Sequence, residues 1–218
     1  MMLPLLLFVS AALPLAFVGL HVHSLYQAAA TFLLAWVALT SWKAKVEEKA
    51  RLGGLDPLTG LADAPAFTTR LRQEMARAAR FGRGGAVILL ALQRSEGLDK
   101  KHGAGAAREA LRQAAQTLRH VTRSVDFLGR WDEASLALVL PEVELSEAGA
   151  AAEKLLNAVS RVRVRLPDGT RMGGVTVSLG LTGFGGRGET LARVMERAGA
   201  AVAAAGRKGR NKIAVLKG

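Results

Sequence analysis

The chain has 218 residues, 30 of them Lys or Arg against 18 Asp or Glu, for a net charge of +12. That length holds one domain of ordinary size plus an added segment, and that charge points to a polyanionic partner or to a basic solvated surface. The absence of Cys excludes a disulfide frame, a thiol nucleophile and a cysteine metal site, and 5% aromatics argues against a single-strand binder built on base stacking.

Residues 1–42 contain no Asp, Glu, Lys or Arg, and the first charge is Lys43. Two apolar runs, Leu3 to Leu20 and Tyr26 to Trp42, flank a short polar break, His21-Val22-His23-Ser24. A membrane-spanning helix needs about 20 apolar residues. The pattern predicts two short spans joined as a hairpin over 1–42, with Tyr26 and Trp42 as interface anchors. One span behind a signal sequence is the alternative. It lacks a basic leader and a small-x-small cleavage site. Lys43, Lys45, Lys49 and Arg51 follow the second run, which places the rest of the chain in the cytoplasm by the positive-inside rule. The expectation is a multi-pass protein of the bacterial inner membrane. His21 and His23 are too few for a metal site.

Residues 43–54 read as a linker helix ending in a Gly53-Gly54 hinge, and 55–218 as the remaining domain. The segment Leu55-Asp56-Pro57-Leu58-Thr59-Gly60-Leu61 is a turn-rich entry. Asp63 is placed to cap a helix that has Pro65 in its first turn and runs to about Phe81, with Phe67, Leu71, Met75 and Ala78 at helical spacing. Gly82 to Gly85 is a loop without the Lys-Ser/Thr ending of a phosphate-binding loop. Ala86 to Leu92 is a buried strand, 96–102 is irregular or a short helix, and Ala104 to His120 is a helix.

From Arg123 to Pro141 the chain reads strand, turn, strand. Val125, Phe127 and Trp131 precede the turn, Asp132 and Glu133 occupy its tip, and an apolar run from Leu136 follows. Ser146 is placed to cap a helix to about Val159. Arg161–Leu166 and Arg171–Leu181 are predicted strands joined by the turn Pro167-Asp168-Gly169-Thr170. Arg161, Arg163 and Arg165 lie two apart and so share one sheet face. A helix over 189–205, a basic exit and a last strand, Lys212 to Leu216, complete the chain. The fold class is α/β (α+β): a mixed, mainly antiparallel sheet flanked by helices.

The order of motifs resembles the GGDEF domain of diguanylate cyclases, from about Leu55 to Leu216. Four stretches carry the likeness: Asp56-Pro57-Leu58-Thr59-Gly60-Leu61; Arg130-Trp131 with its turn and the strand ending in Pro141; Val175 to Gly180 with its Ser178-x-Gly; and Gly209-Arg210-Asn211. The resemblance implies a nucleotidyl-cyclase-like fold. It also implies chemistry that joins two GTP molecules into cyclic di-GMP across a dimer, with Mg²⁺ held by carboxylates.

Matched residue by residue, the family's metal Asp falls on Ala91 and its guanine-reading Asn on Asp99. The five signature residues fall on Asp132, Glu133, Ala134, Ser135 and Leu136, so carboxylates replace the two glycines, and Ala134 and Ser135 replace the acidic pair. Arg210 stays where the pattern has an arginine. These matches predict a degenerate domain with no catalytic residues, no metal site and no Mg²⁺, hence not an enzyme. The family's product-binding Arg-x-x-Asp falls on Arg123 and Asp126, and a second basic residue falls on Lys154. Arg offers a planar donor fork for guanine or phosphate, and Asp accepts from guanine N–H groups. The expected function is a membrane-bound cyclic di-GMP receptor, with a homodimer or protein partner and without nucleic acid. The rivals are a scaffold that docks on a partner at the membrane, a residual diguanylate cyclase, and a basic surface that binds lipid or nucleic acid.

Overall fold

The computed structural model describes residues 31–37, 39–41, 54–93, 95–103, 105–186 and 188–217. The chain divides into two compact units, Met1–Lys49 and Ala50–Gly218. In the first unit, residues 31–37 and 39–41 are helical. Their apolar side chains are exposed, Phe32 at 72% and Trp36 at 58%. Among the described residues no helix is long and apolar enough to cross a membrane. Most of the expected hairpin over 1–42, and residues 43–53 of the linker expected over 43–54, lie outside the described residues.

The second unit is built on a five-stranded sheet. Helix α1 (Ala64–Phe81) leads into β1 (Gly85–Leu92), α2 (Ser95–His102) and α3 (Ala106–Val121). The hairpin β2 (Phe127–Arg130) and β3 (Ser135–Pro141) comes next, then α4 (Leu145–Ser160). A small ribbon, β4 (Arg163–Arg165) and β5 (Arg171–Gly174), precedes β6 (Val177–Phe184), α5 (Leu191–Arg207) and β7 (Lys212–Leu216). The sheet order is β2-β3-β1-β6-β7, antiparallel except for the parallel β6–β7 pair.

Alternate residues of each strand enter different cores, as a two-residue period requires. Val87 and Leu89 of β1 and Ala137 and Val139 of β3 meet Phe67 and Leu71 of α1 and Val194 and Ala198 of α5. Ile88, Leu90, Leu138 and Leu140 face the other way, onto Ala110, Leu111, Ala114 and Leu118 of α3 and Ala152 and Leu155 of α4. The central strand is thus covered on both faces, which is why it reads as an unbroken apolar run. Gly180 lets α5 lie against β6, since a Cβ there would come within 2.4 Å of the Ala198 carbonyl oxygen.

Asp63 caps α1 as expected, its Oδ1 accepting from the Ala66 N–H at 2.9 Å, and Gly82 ends it at φ +70°. Three expectations are corrected. Glu144, not Ser146, is the N-cap of α4, and Ser146 lies in the first turn. The strand expected over 171–181 is two strands in different sheets: β5 pairs β4, and β6 joins the main sheet after Val175 and Thr176. Residues 123–126 form a turn, not the start of a strand, with the Asp126 N–H donating to the Arg123 carbonyl at 3.1 Å. Val125, the β-branched residue that argued for a strand, is 61% exposed there, so no sheet face selects it.

The ribbon packs Val164, Leu166 and Met172 into the core that α3 lines, and one side chain of α3 bonds to its backbone. Gln113 accepts from the Arg165 N–H at 3.1 Å and donates to the Arg165 carbonyl at 2.7 Å, filling the place of a neighbouring strand.

Candidate functional site

The two ends of the β2–β3 hairpin carry the residues singled out in the sequence. At the turn end, Arg130 is the organising side chain. Its guanidinium donates to the Asp56 carboxylate at 2.8 Å, to the Asp132 carbonyl at 3.0 Å and to the Glu133 carbonyl at 3.4 Å. Asp56 also accepts from the Thr59 N–H at 2.8 Å and the Thr59 hydroxyl at 2.7 Å. Burial alone would raise the Asp56 carboxyl. The bonds from Thr59 and Arg130 outweigh it and hold the group below the usual carboxylate range. The entry segment also bridges β2 at Ala62–Gly129, with the Arg130 N–H donating to the Ala62 carbonyl at 2.7 Å. Entry motif and signature hairpin are therefore one unit.

Asp132 and Glu133 are exposed in the turn, and the Asp132 carboxylate accepts from the Ala134 N–H at 2.9 Å. Ala91, next to last in β1, lies opposite Ser135 on one side and Ser178 on the other. Ser135 and Ser178 are buried, and the Ser178 hydroxyl accepts from the Gln93 amide, which also donates to the Gly209 carbonyl at 3.1 Å. Asp99 stands apart on α2, its carboxylate accepting from the Ala107 N–H at 2.9 Å in the first turn of α3. Arg210 is exposed. Mg²⁺ takes hard oxygen ligands, commonly one or two carboxylates together with phosphates. Ala91 and Ala134, which the resemblance matches to the family's metal positions, offer no side-chain oxygen and so do not fit that ion. Among the described residues no three His, Asp or Glu gather where a cation could be held.

At the other end of the hairpin, Arg123, Asp126 and Lys154 line one cavity of about 210 Å³. The last residue of α3 and the 122–126 turn supply one wall, α4 supplies the other through Glu147, Ala150 and Lys154, and Leu138 and Leu140 of β3 form part of the lining. Arg123 is exposed and pairs with no acid among the described residues. Asp126 does not take the Arg123 guanidinium as an ion pair. Its carboxylate accepts from the Arg123 backbone N–H at 2.9 Å, which fixes the turn. The Lys154 ammonium donates to the Val121 carbonyl at 3.2 Å, at the negative end of α3.

The structure thus brings Arg123, Asp126 and Lys154 together, and groups Asp132 to Ser135 around the end of β1. Glu147 is a lining residue the sequence reading missed. It precedes Lys154 by seven residues, two helical turns, and so shares its face.

Comparisons with known proteins agree with this layout. The family model described as diguanylate cyclase, GGDEF domain, matches residues 54–212. Diguanylate cyclase DgcP of Pseudomonas aeruginosa is 30% identical over 170 residues, 78% of this chain. This chain spans only 25% of that relative's length. The coiled coil and GGDEF domain of DgcB from Caulobacter crescentus, solved in complex with c-di-GMP, superposes with a TM-score of 0.70 at 26% identity, over 86% of this chain and 98% of that one. Diguanylate cyclase SiaD from Pseudomonas aeruginosa, solved with its activator SiaC, gives a TM-score of 0.69 at 25% identity, over 97% of this chain and 79% of that one.

These findings overturn the expectation that the chain is not an enzyme. The matching family and its relatives are diguanylate cyclases, so membership points to cyclase activity. The missing carboxylates at Ala91 and Ala134 concern one way of holding a cation, and a nucleotide's phosphates are ligands as well. With the match running from residue 54 to residue 212, through the entry motif, the hairpin and the sheet, the chain belongs to the GGDEF family of diguanylate cyclase domains.

Proposed function

We propose that this chain is a membrane-anchored protein of cyclic di-GMP signalling that binds the dinucleotide at the Arg123–Asp126–Lys154 cavity. One observation carries the reading: three residues from separate positions of the sequence line the same cavity, with the Arg123 fork unpaired by any acid among the described residues. At about 210 Å³ the cavity is smaller than the roughly 300 Å³ at which small-molecule pockets begin, so it holds one end of the ligand and leaves the rest on the surface. Arg123 reads guanine or phosphate through its two parallel N–H donors, Asp126 accepts from guanine, and Lys154 adds charge without a fork.

The relatives favour a second reading, turnover of GTP to cyclic di-GMP, and the two are compatible in one chain. The binding reading takes cyclic di-GMP as ligand and no magnesium resident at the Ala91 end. A protein partner fits the likeness to SiaD, solved with its activator, and a homodimer is the other assembly proposed. Inner-membrane placement, with the GGDEF domain in the cytoplasm, is supported by the uncharged stretch before Lys43 and the exposed apolar helix around Trp36.

Calorimetric titration of the purified full chain with cyclic di-GMP tests the binding reading. Saturable heat, with the affinity weakened about thirtyfold by Arg123→Ala, is the expected result, and no heat at high-micromolar ligand would sink it. Incubation with GTP and Mg²⁺, followed by chromatography for the cyclic dinucleotide, tests turnover separately.

A further inference from the structure

The β4–β5 ribbon shows a second chemistry that the cyclic di-GMP cavity does not use. Its inner face is buried through Val164, Leu166 and Met172. Its outer face presents Arg163, Arg165 and Arg171, all exposed, with Arg161 beside them at the end of α4. Arg165 and Arg171 are directly paired across the two strands, so like charges face each other. Such a pair destabilises a ribbon unless something outside neutralises it. None of these four arginines is in an ion pair among the described residues. Arg163 lies opposite Gly174, and Gly173 has open space where a side chain would stand, so nothing bulky rises between the arginines. The one acid of the ribbon, Asp168, sits at its tip, where Thr170 donates to it through both its N–H and its hydroxyl.

We infer that this face docks on the anionic phospholipid surface of a membrane. An exposed two-stranded face with several guanidinium groups and no opposing acid suits a plane of phosphodiesters, to which each arginine donates in parallel. Nucleic acid is the competing polyanion. The ribbon carries no aromatic residue on which a base could stack, and strands of three and four residues are too short to follow a groove. The Gln113 clamp on Arg165 fixes the ribbon to α3, so the arginines are presented from a rigid base. The inference is independent of the proposed apolar anchor, since the charge alone acts within a Debye length of the surface.

The test uses the full chain mixed with vesicles of phosphatidylcholine alone or of phosphatidylcholine with phosphatidylglycerol. Sedimentation reads whether the chain is on the membrane, and amide hydrogen exchange of residues 163–174 reads whether the ribbon is. The expected result is slowed exchange on the anionic vesicles only, reversed by salt and lost in the Arg163→Glu/Arg165→Glu/Arg171→Glu variant. Each arginine contributes about a fivefold factor at low ionic strength. Replacing the three by Lys should keep most of the effect. Unchanged exchange in β1 and β6 amides shows that the variants are folded. Equal ribbon exchange on both vesicles overturns the inference, even if the chain sediments with both through its apolar segment. Protection by added duplex DNA or RNA but not by anionic vesicles also overturns it, in favour of nucleic acid.

Discussion

The two ends of the β2–β3 hairpin treat their charged groups in opposite ways. At the turn, Arg130 closes on Asp56 and on two backbone carbonyls, and Asp132 closes on the Ala134 N–H. At the base, Asp126 fixes the turn through a backbone N–H and leaves the Arg123 guanidinium without an acid partner among the described residues. A guanidinium already bonded to a carboxylate and two carbonyls has little to offer a ligand, because each new contact replaces an old one. The difference teaches which arginine is available: Arg130 of the signature hairpin is spent on holding the fold, and Arg123, exposed and facing a cavity, is at the other end.

Four perturbations would break or sharpen that contrast. Asp56→Ala has the largest expected effect. It leaves Arg130 half-buried without its carboxylate and costs about 2–3 kcal/mol, read as a lower urea midpoint. Cyclic di-GMP binding by the folded fraction should be unchanged, and a parallel loss of binding would show the two ends to be coupled. Arg123→Ala is the reverse case. It should weaken cyclic di-GMP binding about thirtyfold, as losing charge-assisted hydrogen bonds worth about 2 kcal/mol requires, while the urea midpoint moves by less than about 0.5 kcal/mol equivalent.

Lys154→Ala should weaken binding about fivefold and Lys154→Arg should restore it, because the guanidinium regains a fork while the charge stays. If both variants bind like the parent, α4 is not part of the ligand site. The smallest effect is one of pH. Asp56 and Glu109 are held below their ordinary values, Asp56 by Thr59 and Arg130 against the opposing effect of burial, and Glu109 by Arg112. Their contribution is therefore full above the unfolded carboxylate pKa and is lost as pH falls through the lowered folded values. Urea midpoints measured from neutral to acid pH should fall, and Asp56→Asn should flatten that fall. An unchanged slope would mean that Asp56 is not engaged in solution as it is here.

Much of this fold is written in the chain. The Asp63 cap, the apolar β1 and the terminal strand follow from local rules, and the order of motifs brings Arg123, Asp126 and Lys154 into consideration before any coordinates. What escapes local reading depends on pairing across distance. No periodicity tells that residues 171–181 change sheets at Val175, because both halves are strand-prone and only their partners differ. Nor does it show that Arg161 belongs to the end of α4 rather than to the ribbon, which leaves Arg163, Arg165 and Arg171 as the arginines that share its face. The Gln93–Ser178 contact joins residues 85 positions apart, and no rule of spacing predicts it. Catalytic status is not legible in matched positions alone, because family membership bears on activity and the matched side chains bear only on how a cation is held.

The bridge between Ala62 and Gly129 has one more consequence. Strand β2 is an outer strand of the main sheet, with a row of backbone donors and acceptors that another chain could pair with. The entry segment lies along that row and bonds to it at Ala62, kept in place by the Asp56–Arg130 contact. The same segment that opens the domain therefore occupies this edge beside Gly129, where another strand would pair. Loosening it uncovers a strand edge, so a protein weakened at Asp56 is expected to come out of solution through edge-to-edge pairing before its central strands unfold.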